Sequence, residues 1–69
     1  MMDRAALKAE IVRNNLTQKQ LAIEIGMSPA TFVRRMKRGV FGTDEVERMI
    51  KRLHITNPAE IFLRPESNS

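Results

Sequence analysis

The chain of 69 residues contains no cysteine, tryptophan or tyrosine, and only three glycines and three prolines. Without cysteine there is no disulfide framework and no thiolate metal site, so stability has to come from helix packing or dimerisation. Uninterrupted apolar runs are only a few residues long, which excludes a membrane-spanning segment. The lone histidine, His54, has no metal-spaced partner, and no glycine-rich phosphate loop occurs. We therefore expect no enzyme and no metal or cofactor, and a chain this short leaves no room for a small-molecule pocket.

The length of the chain predicts one small domain. We expect residues 1–63 to form it, and the polar residues 64–69 to be a disordered tail. The N-terminal residues contain no secretory apolar region, because Lys8, Glu10 and Arg13 interrupt it. A cytoplasmic protein is the resulting expectation.

The net charge is +4, and all of the excess lies in one segment. Residues 34–38 hold four of the 12 basic residues, whereas the others balance the eight acidic ones. No acidic residue occurs from position 28 to position 42. Charge concentrated in this way indicates a polyanion partner. A membrane surface fits less well, because the apolar face of this segment, Phe32 and Met36, is small and is needed for the core.

Apolar residues recur at helical spacing, and no strand-like alternation runs for five residues. N-cap residues predict where five helices begin: Asp3, Thr17, Ser28, Thr43 and Asn57. Gly26 and Gly39 end the second and third helices, since glycine adopts left-handed backbone angles at little cost. Short helices with short connections predict an all-α fold, a compact orthogonal bundle of five helices. On the fourth helix, i, i+4 spacing also predicts the ion pairs Asp44–Arg48 and Glu47–Lys51.

The most specific pattern is the segment 17–39, TQKQLAIEIGMSPATFVRRMKRG. Two short helical patterns are separated by a tight turn at Gly26, and the second opens with Ser28 and Pro29. That second pattern also carries the basic cluster. This is the layout of a DNA-binding helix-turn-helix, in which one helix braces and the next enters a groove.

The segment resembles the helix-turn-helix regulators of the phage lambda repressor and Cro-like family, also called the xenobiotic-response-element family. The resemblance rests on the order and spacing of Thr17, Gln18, Leu21, Ala22, Ile25, Gly26, Met27, Ser28, Thr31 and Phe32. It extends over residues 3–63 and, in size, to small prophage-encoded regulators. It implies a lambda repressor-like bundle and a sequence-specific repressor of transcription, located with the nucleoid of a bacterial or phage-infected cell.

Two positions depart from the family pattern. Arg35 stands where the family usually has an aliphatic residue, and the apolar residue is Met36 instead. The last turn of the third helix should therefore pack differently. Pro29 and Ala30 replace residues that are often polar in the family, so base recognition has to use fewer polar groups.

The resemblance implies that residues 29–38 form a recognition helix in the major groove of double-stranded DNA. Base contacts are expected from Ser28, Ala30, Val33 and Arg34. Phosphate contacts are expected from Thr17, Gln18, Lys19, Arg35, Lys37, Arg38 and Thr43. Thr17, Ser28 and Thr43 are expected to act first as N-caps, and DNA contact would be an additional role. Thr31 is expected to stabilise the start of the helix or to pack, and not to contact DNA.

Members of this family commonly bind near-palindromic operators as two-fold dimers. Ile61, Phe62 and Leu63 are the candidate dimer interface, and the alternative is that Ile61 and Phe62 close the core against the first and fourth helices. A second function also stays open, because a fold alone does not prove function. The protein could be an interaction module, such as an antitoxin or antirepressor, with secondary DNA affinity; the concentrated positive charge favours DNA.

Overall fold

The computed structural model describes residues 2–63 and contains five α-helices in that range, with no strand. The helices are α1 (Arg4–Arg13), α2 (Gln18–Glu24), α3 (Pro29–Arg38), α4 (Thr43–Leu53) and α5 (Pro58–Phe62). This confirms the predicted all-α bundle of five helices. The expected tail at 64–69 lies outside the described residues. None of the five helices is long and apolar enough to cross a membrane.

Three of the predicted N-caps bind the first turn of their helices through the side chain. Asp3 is the N-cap of α1, and its carboxylate accepts a hydrogen bond from the amide of Ala6 at 3.0 Å. Thr17 accepts the amide of Gln20 at 3.1 Å, and the Gln20 side chain accepts the amide of Thr17 at 2.8 Å, which completes a capping box. Ser28 caps α3 in the same manner, with Pro29 at the first helical position. Local sequence therefore determines where these helices begin.

One of the predicted caps is wrong. Thr43 is the first residue of α4, and the cap is Gly42, whose amide donates to Glu45 Oε1 at 2.8 Å. The acceptor comes from the third residue of the helix, so the cap itself needs no polar side chain. Asn57 is the N-cap of α5, as predicted, with Pro58 at the first helical position, although its side chain makes no capping hydrogen bond.

Residues with left-handed backbone angles end α3 and α4 and form the turn after α2. Gly26 has φ of 81° and Gly39 has φ of 73°, as predicted from glycine at these positions. His54 has φ of 55° and is the exposed residue that ends α4. The lone histidine is therefore a helix terminus on the surface.

The core is built from apolar side chains of all five helices and has no buried polar or charged residue among those described. Its largest fully buried side chains are Phe32, Leu7, Ile11, Leu21, Met49 and Leu53. Ala22 is fully buried on α2, the helix that packs most extensively on α3. Phe41 from the α3–α4 loop lies on Phe32, with ring centroids 5.2 Å apart, and so anchors that loop. The core thereby fixes α3 from one side and leaves its other side open.

Candidate nucleic-acid interface

One side of α3 is buried and the opposite side is open to solvent. Phe32 and Met36 point into the core and are 0% and 4% exposed. Exposed residues follow at the spacing i, i+3, i+4 and i+7, and together they form what we name the outer stripe: Ala30, Val33, Arg34 and Lys37. Three of the four predicted base-contact residues therefore share one exposed helix face.

A chain of hydrogen bonds connects Ser28, Thr31 and Arg34 across the first two turns of α3. Ser28 Oγ donates to Thr31 Oγ1 at 2.9 Å, and the Thr31 amide donates to Ser28 Oγ at 3.2 Å. Arg34 Nη2 donates to the same Thr31 oxygen at 3.2 Å. Thr31 thus stabilises the helix start, as predicted, and also holds the guanidinium group of Arg34.

Arg35 differs from the neighbouring cations, because it is paired with Glu45 on α4. The carboxylate oxygen that receives Arg35 Nη1 also accepts the amide of Gly42. A Cβ atom at Gly42 would lie 3.3 Å from that oxygen, so the lack of a side chain leaves room for this contact. The departure from the family pattern now has a physical reason. Met36 takes the buried position and Arg35 pairs with Glu45 of α4, so a phosphate contact by Arg35 would have to replace this ion pair.

The remaining phosphate candidates lie at the starts of α2 and α4 and in the last turn of α3. Thr17 and Lys19 are exposed at the start of α2, where Gln18 is half-buried, and Thr43 is exposed at the start of α4. Lys37 and Arg38 are exposed in the last turn of α3. Within residues 2–63 the ion pairs are Glu10–Arg13, Arg35–Glu45 and Glu24–Arg52. In that part of the chain, Lys19, Arg34, Lys37 and Arg38 therefore have no carboxylate partner and keep their charge available for a polyanion.

Two arginines of α4 hold the end of α2, immediately before the turn between α2 and α3. Arg48 Nη1 donates to the carbonyl oxygen of Ile25, the C-cap residue of α2, at 3.2 Å. Arg52 pairs with Glu24, and this hydrogen bond raises the pKa of Arg52 above its ordinary value. The pairs that i, i+4 spacing predicted within α4, Asp44–Arg48 and Glu47–Lys51, are absent from the described residues, so that prediction is wrong. Arg48 instead reaches the negative end of the α2 dipole.

An apolar groove of about 580 Å³ lies between the α3–α4 loop, α4 and α5, so the expectation that this chain leaves no room for a small-molecule pocket is wrong. Phe62 and Leu63 line it together with Val40 and Phe41. Leu63 is 74% exposed, whereas Ile61 is only 7% exposed and belongs to the core. Ile61 is therefore corrected from interface candidate to core residue. Phe62 and Leu63 are the members of the cluster that a partner could reach.

The fold and this surface define a DNA-binding helix-turn-helix protein: a braced two-helix unit whose second helix presents unpaired cations on its exposed side. The chain belongs to the antitoxin Xre-like helix-turn-helix domain family, with a match over residues 2–51. The match includes α1, α2 and α3 and most of α4, and it ends before α5. The resemblance drawn from the sequence is thereby confirmed. No curated protein and no solved structure matches the chain significantly.

Proposed function

We propose that the protein is a transcriptional repressor that binds a specific sequence of double-stranded DNA with α3 in the major groove. The outer stripe of α3 is the observation that carries this proposal. It places Ala30, Val33 and Arg34 on one exposed face, next to cations that have no carboxylate partner in residues 2–63. A buried face made of Phe32 and Met36 fixes the rotation of the helix, so the same residues always face outward.

The side chains of the interface divide into two roles. Arg34 has a planar fork that matches O6 and N7 of guanine, and Ala30 and Val33 offer apolar contact to a thymine methyl group. Ser28, at the start of the helix, contacts a base or a phosphate. The phosphate contacts fix register and supply most of the salt-dependent affinity. They come from Thr17, Gln18, Lys19, Lys37, Arg38 and Thr43.

We further propose that two copies bind one near-palindromic operator and meet through the apolar groove. Leu63 and Val40 are 74% and 61% exposed beside it, and Phe62 lines its wall. Pairing two copies over this groove would bury apolar surface that a monomer leaves in water. A two-fold dimer also presents two recognition helices to two half-sites one helical turn apart.

The family description favours a second function, that of an antitoxin. In that case the groove would receive a partner protein, and DNA affinity would be secondary. The two functions place different demands on α3. A protein that binds only a partner protein has no use for the unpaired cations of its last turn, whereas a repressor depends on them.

Selection of bound duplexes from random DNA, followed by titration at about 50 and 200 mM salt, tests the proposal. We expect a preferred sequence, with a preference over random duplex of about a thousandfold or more. We also expect affinity for both to fall steeply with salt. A protein that shows no salt-sensitive DNA binding at all would contradict the repressor function and leave the antitoxin function.

A further inference from the structure

We propose that Thr31 is a positioning residue for sequence recognition: its hydroxyl group orients the Arg34 guanidinium for contact with one base pair. This inference rests on the proposed function, because it needs α3 to enter the major groove. It concerns a residue that touches no base edge itself. The role follows from the hydrogen bonds of the first two turns of α3.

The anchor that holds Arg34 is itself fixed. Thr31 is half-buried, its amide donates to Ser28 Oγ at 3.2 Å, and its oxygen accepts the Ser28 hydroxyl at 2.9 Å. Helical side chains lean towards the N-terminus of their helix. Arg34 follows this direction, and its Nη2 reaches back to Thr31 Oγ1 at 3.2 Å. The guanidinium therefore lies over the N-terminal half of α3.

The contact with Thr31 leaves Arg34 able to bind a base. A guanidinium group has five N–H donors in a planar fork, and Thr31 uses one of them. Whichever Nη2 hydrogen is used, one complete two-donor edge remains. Two parallel donors are what O6 and N7 of guanine accept. The hydroxyl thus removes rotamers of a long side chain without blocking its recognition edge.

Arg34 and Arg35 show why the partner matters. The carboxylate of Glu45 holds Arg35 in an ion pair that braces α4. Arg34 has no carboxylate partner in residues 2–63, and the group that orients it is neutral. A neutral acceptor positions the guanidinium without cancelling the positive charge that attracts DNA. This assigns orientation to Thr31 and recognition to Arg34.

Thr31→Val tests the proposal, because it removes the hydroxyl and keeps the branched shape. Binding is measured on three probes: the duplex selected by the wild-type protein, its single-base-pair variants, and a random duplex. We expect Thr31→Val to lose about three- to tenfold of discrimination at one base pair, a part of what a bidentate contact supplies. Affinity for random DNA should stay nearly unchanged. Thr31→Ser, which keeps the hydroxyl, should retain wild-type discrimination.

Measuring Thr31→Val in an Arg34→Ala background separates a positioning role of Thr31 from a merely structural one. With Arg34 removed, Thr31→Val should cause no further loss of discrimination, since the two act through one contact. Equal loss in both backgrounds, equal loss on random DNA, or unchanged discrimination in Thr31→Val would overturn the inference. If Thr31→Val melts early, Thr31→Ala takes its place, because it also lacks the hydroxyl. A wild-type protein without any preferred sequence would instead overturn the proposed function, and the inference with it.

Discussion

Replacing Arg35 with methionine separates two roles that a cation can have at this position: bracing α4 and contacting a phosphate. The structure pairs Arg35 with Glu45, so the bracing role predicts a loss of stability. It also predicts that the salt dependence of DNA binding stays as it is. A phosphate contact predicts the opposite combination. Methionine keeps most of the length of the side chain, which limits the effect to the charge and its hydrogen bond.

The expected loss of stability is modest, because the pair is partly solvated. The side chains of Arg35 and Glu45 are 40% and 21% exposed, and exposed pairs typically contribute about 0.2–1 kcal/mol. Glu45 also keeps its hydrogen bond to the amide of Gly42, so its carboxylate is not left without a donor. We expect the free energy of unfolding to fall by about 0.5–1 kcal/mol. In a domain of this size, that lowers the melting temperature by roughly 2–8 °C.

The assay is a titration of the selected duplex at several salt concentrations, with Arg38→Met as the matched control. Arg38 is exposed and has no ion pair within residues 2–63. Each phosphate that a protein neutralises contributes about 0.9 to the slope of log affinity against log salt. Arg38→Met should therefore reduce the slope by about 1, with little change in melting temperature. Arg35→Met should lower the melting temperature and leave the slope unchanged.

A slope reduced equally in both variants would refute this reasoning, since Arg35 would then leave Glu45 to contact a phosphate. Glu45→Gln gives an independent check. Glutamine keeps an acceptor for the amide of Gly42 and removes the charge that holds Arg35. If the brace exists, the double variant should be hardly less stable than either single variant. Fully additive losses would mean that the two side chains act separately.

Four other variants follow from the same structure. Arg34→Ala should cost about 1–3 kcal/mol on the selected duplex and relax one base pair, which titration on single-base variants measures. Leu63→Glu should fold and sediment as a monomer at a micromolar concentration at which the wild type is a dimer, because the side chain is 74% exposed and lies outside the core. Phe32→Ala should cost about 3–5 kcal/mol in urea denaturation, which is most of the stability of a chain this small. Gly39→Ala should cost about 1 kcal/mol through its φ of 73° alone, since nothing lies within 4 Å of the new Cβ atom.

Helix boundaries were predictable where the signal lies within a few residues. Thr17 and Gln20 form the expected capping box, and Gly26 and Gly39 adopt the expected left-handed angles. Thr43 shows the limit of this approach. Threonine and glycine are about equally good caps by residue type, and here Glu45 supplies the acceptor from inside the helix. Two satisfactory caps stood next to each other, and a tertiary contact with Arg35 favoured one of them.

The sequence could not show which residues of a consecutive apolar run are buried in the core and which are exposed. Ile61, Phe62 and Leu63 form one hydrophobic run with no periodicity to separate them. In the structure their exposure rises along the run, from 7% at Ile61 to 74% at Leu63. The backbone explains this order, because the amide of Asp3 donates to the carbonyl of Ile61 at 2.6 Å and draws that residue against α1. A contact between positions 3 and 61 leaves no trace in local spacing.

The contacts made by α4 show that the candidate interface depends on more than the segment 17–39. Arg48 binds the carbonyl of Ile25 across 23 positions, and Arg52 pairs with Glu24 across 28. Both contacts hold the end of α2, and the Glu45–Arg35 pair holds α3 from the same helix. Spacing rules consider one helix at a time, so they assigned Arg48 to Asp44 and missed all three links. The angle between α2 and α3 determines whether Thr17 and Arg34 can reach the same duplex. Substitutions at Arg48 or Arg52 should therefore weaken DNA binding without removing a DNA contact. A selection for variants with altered DNA binding should recover substitutions in α4 as well as in the outer stripe.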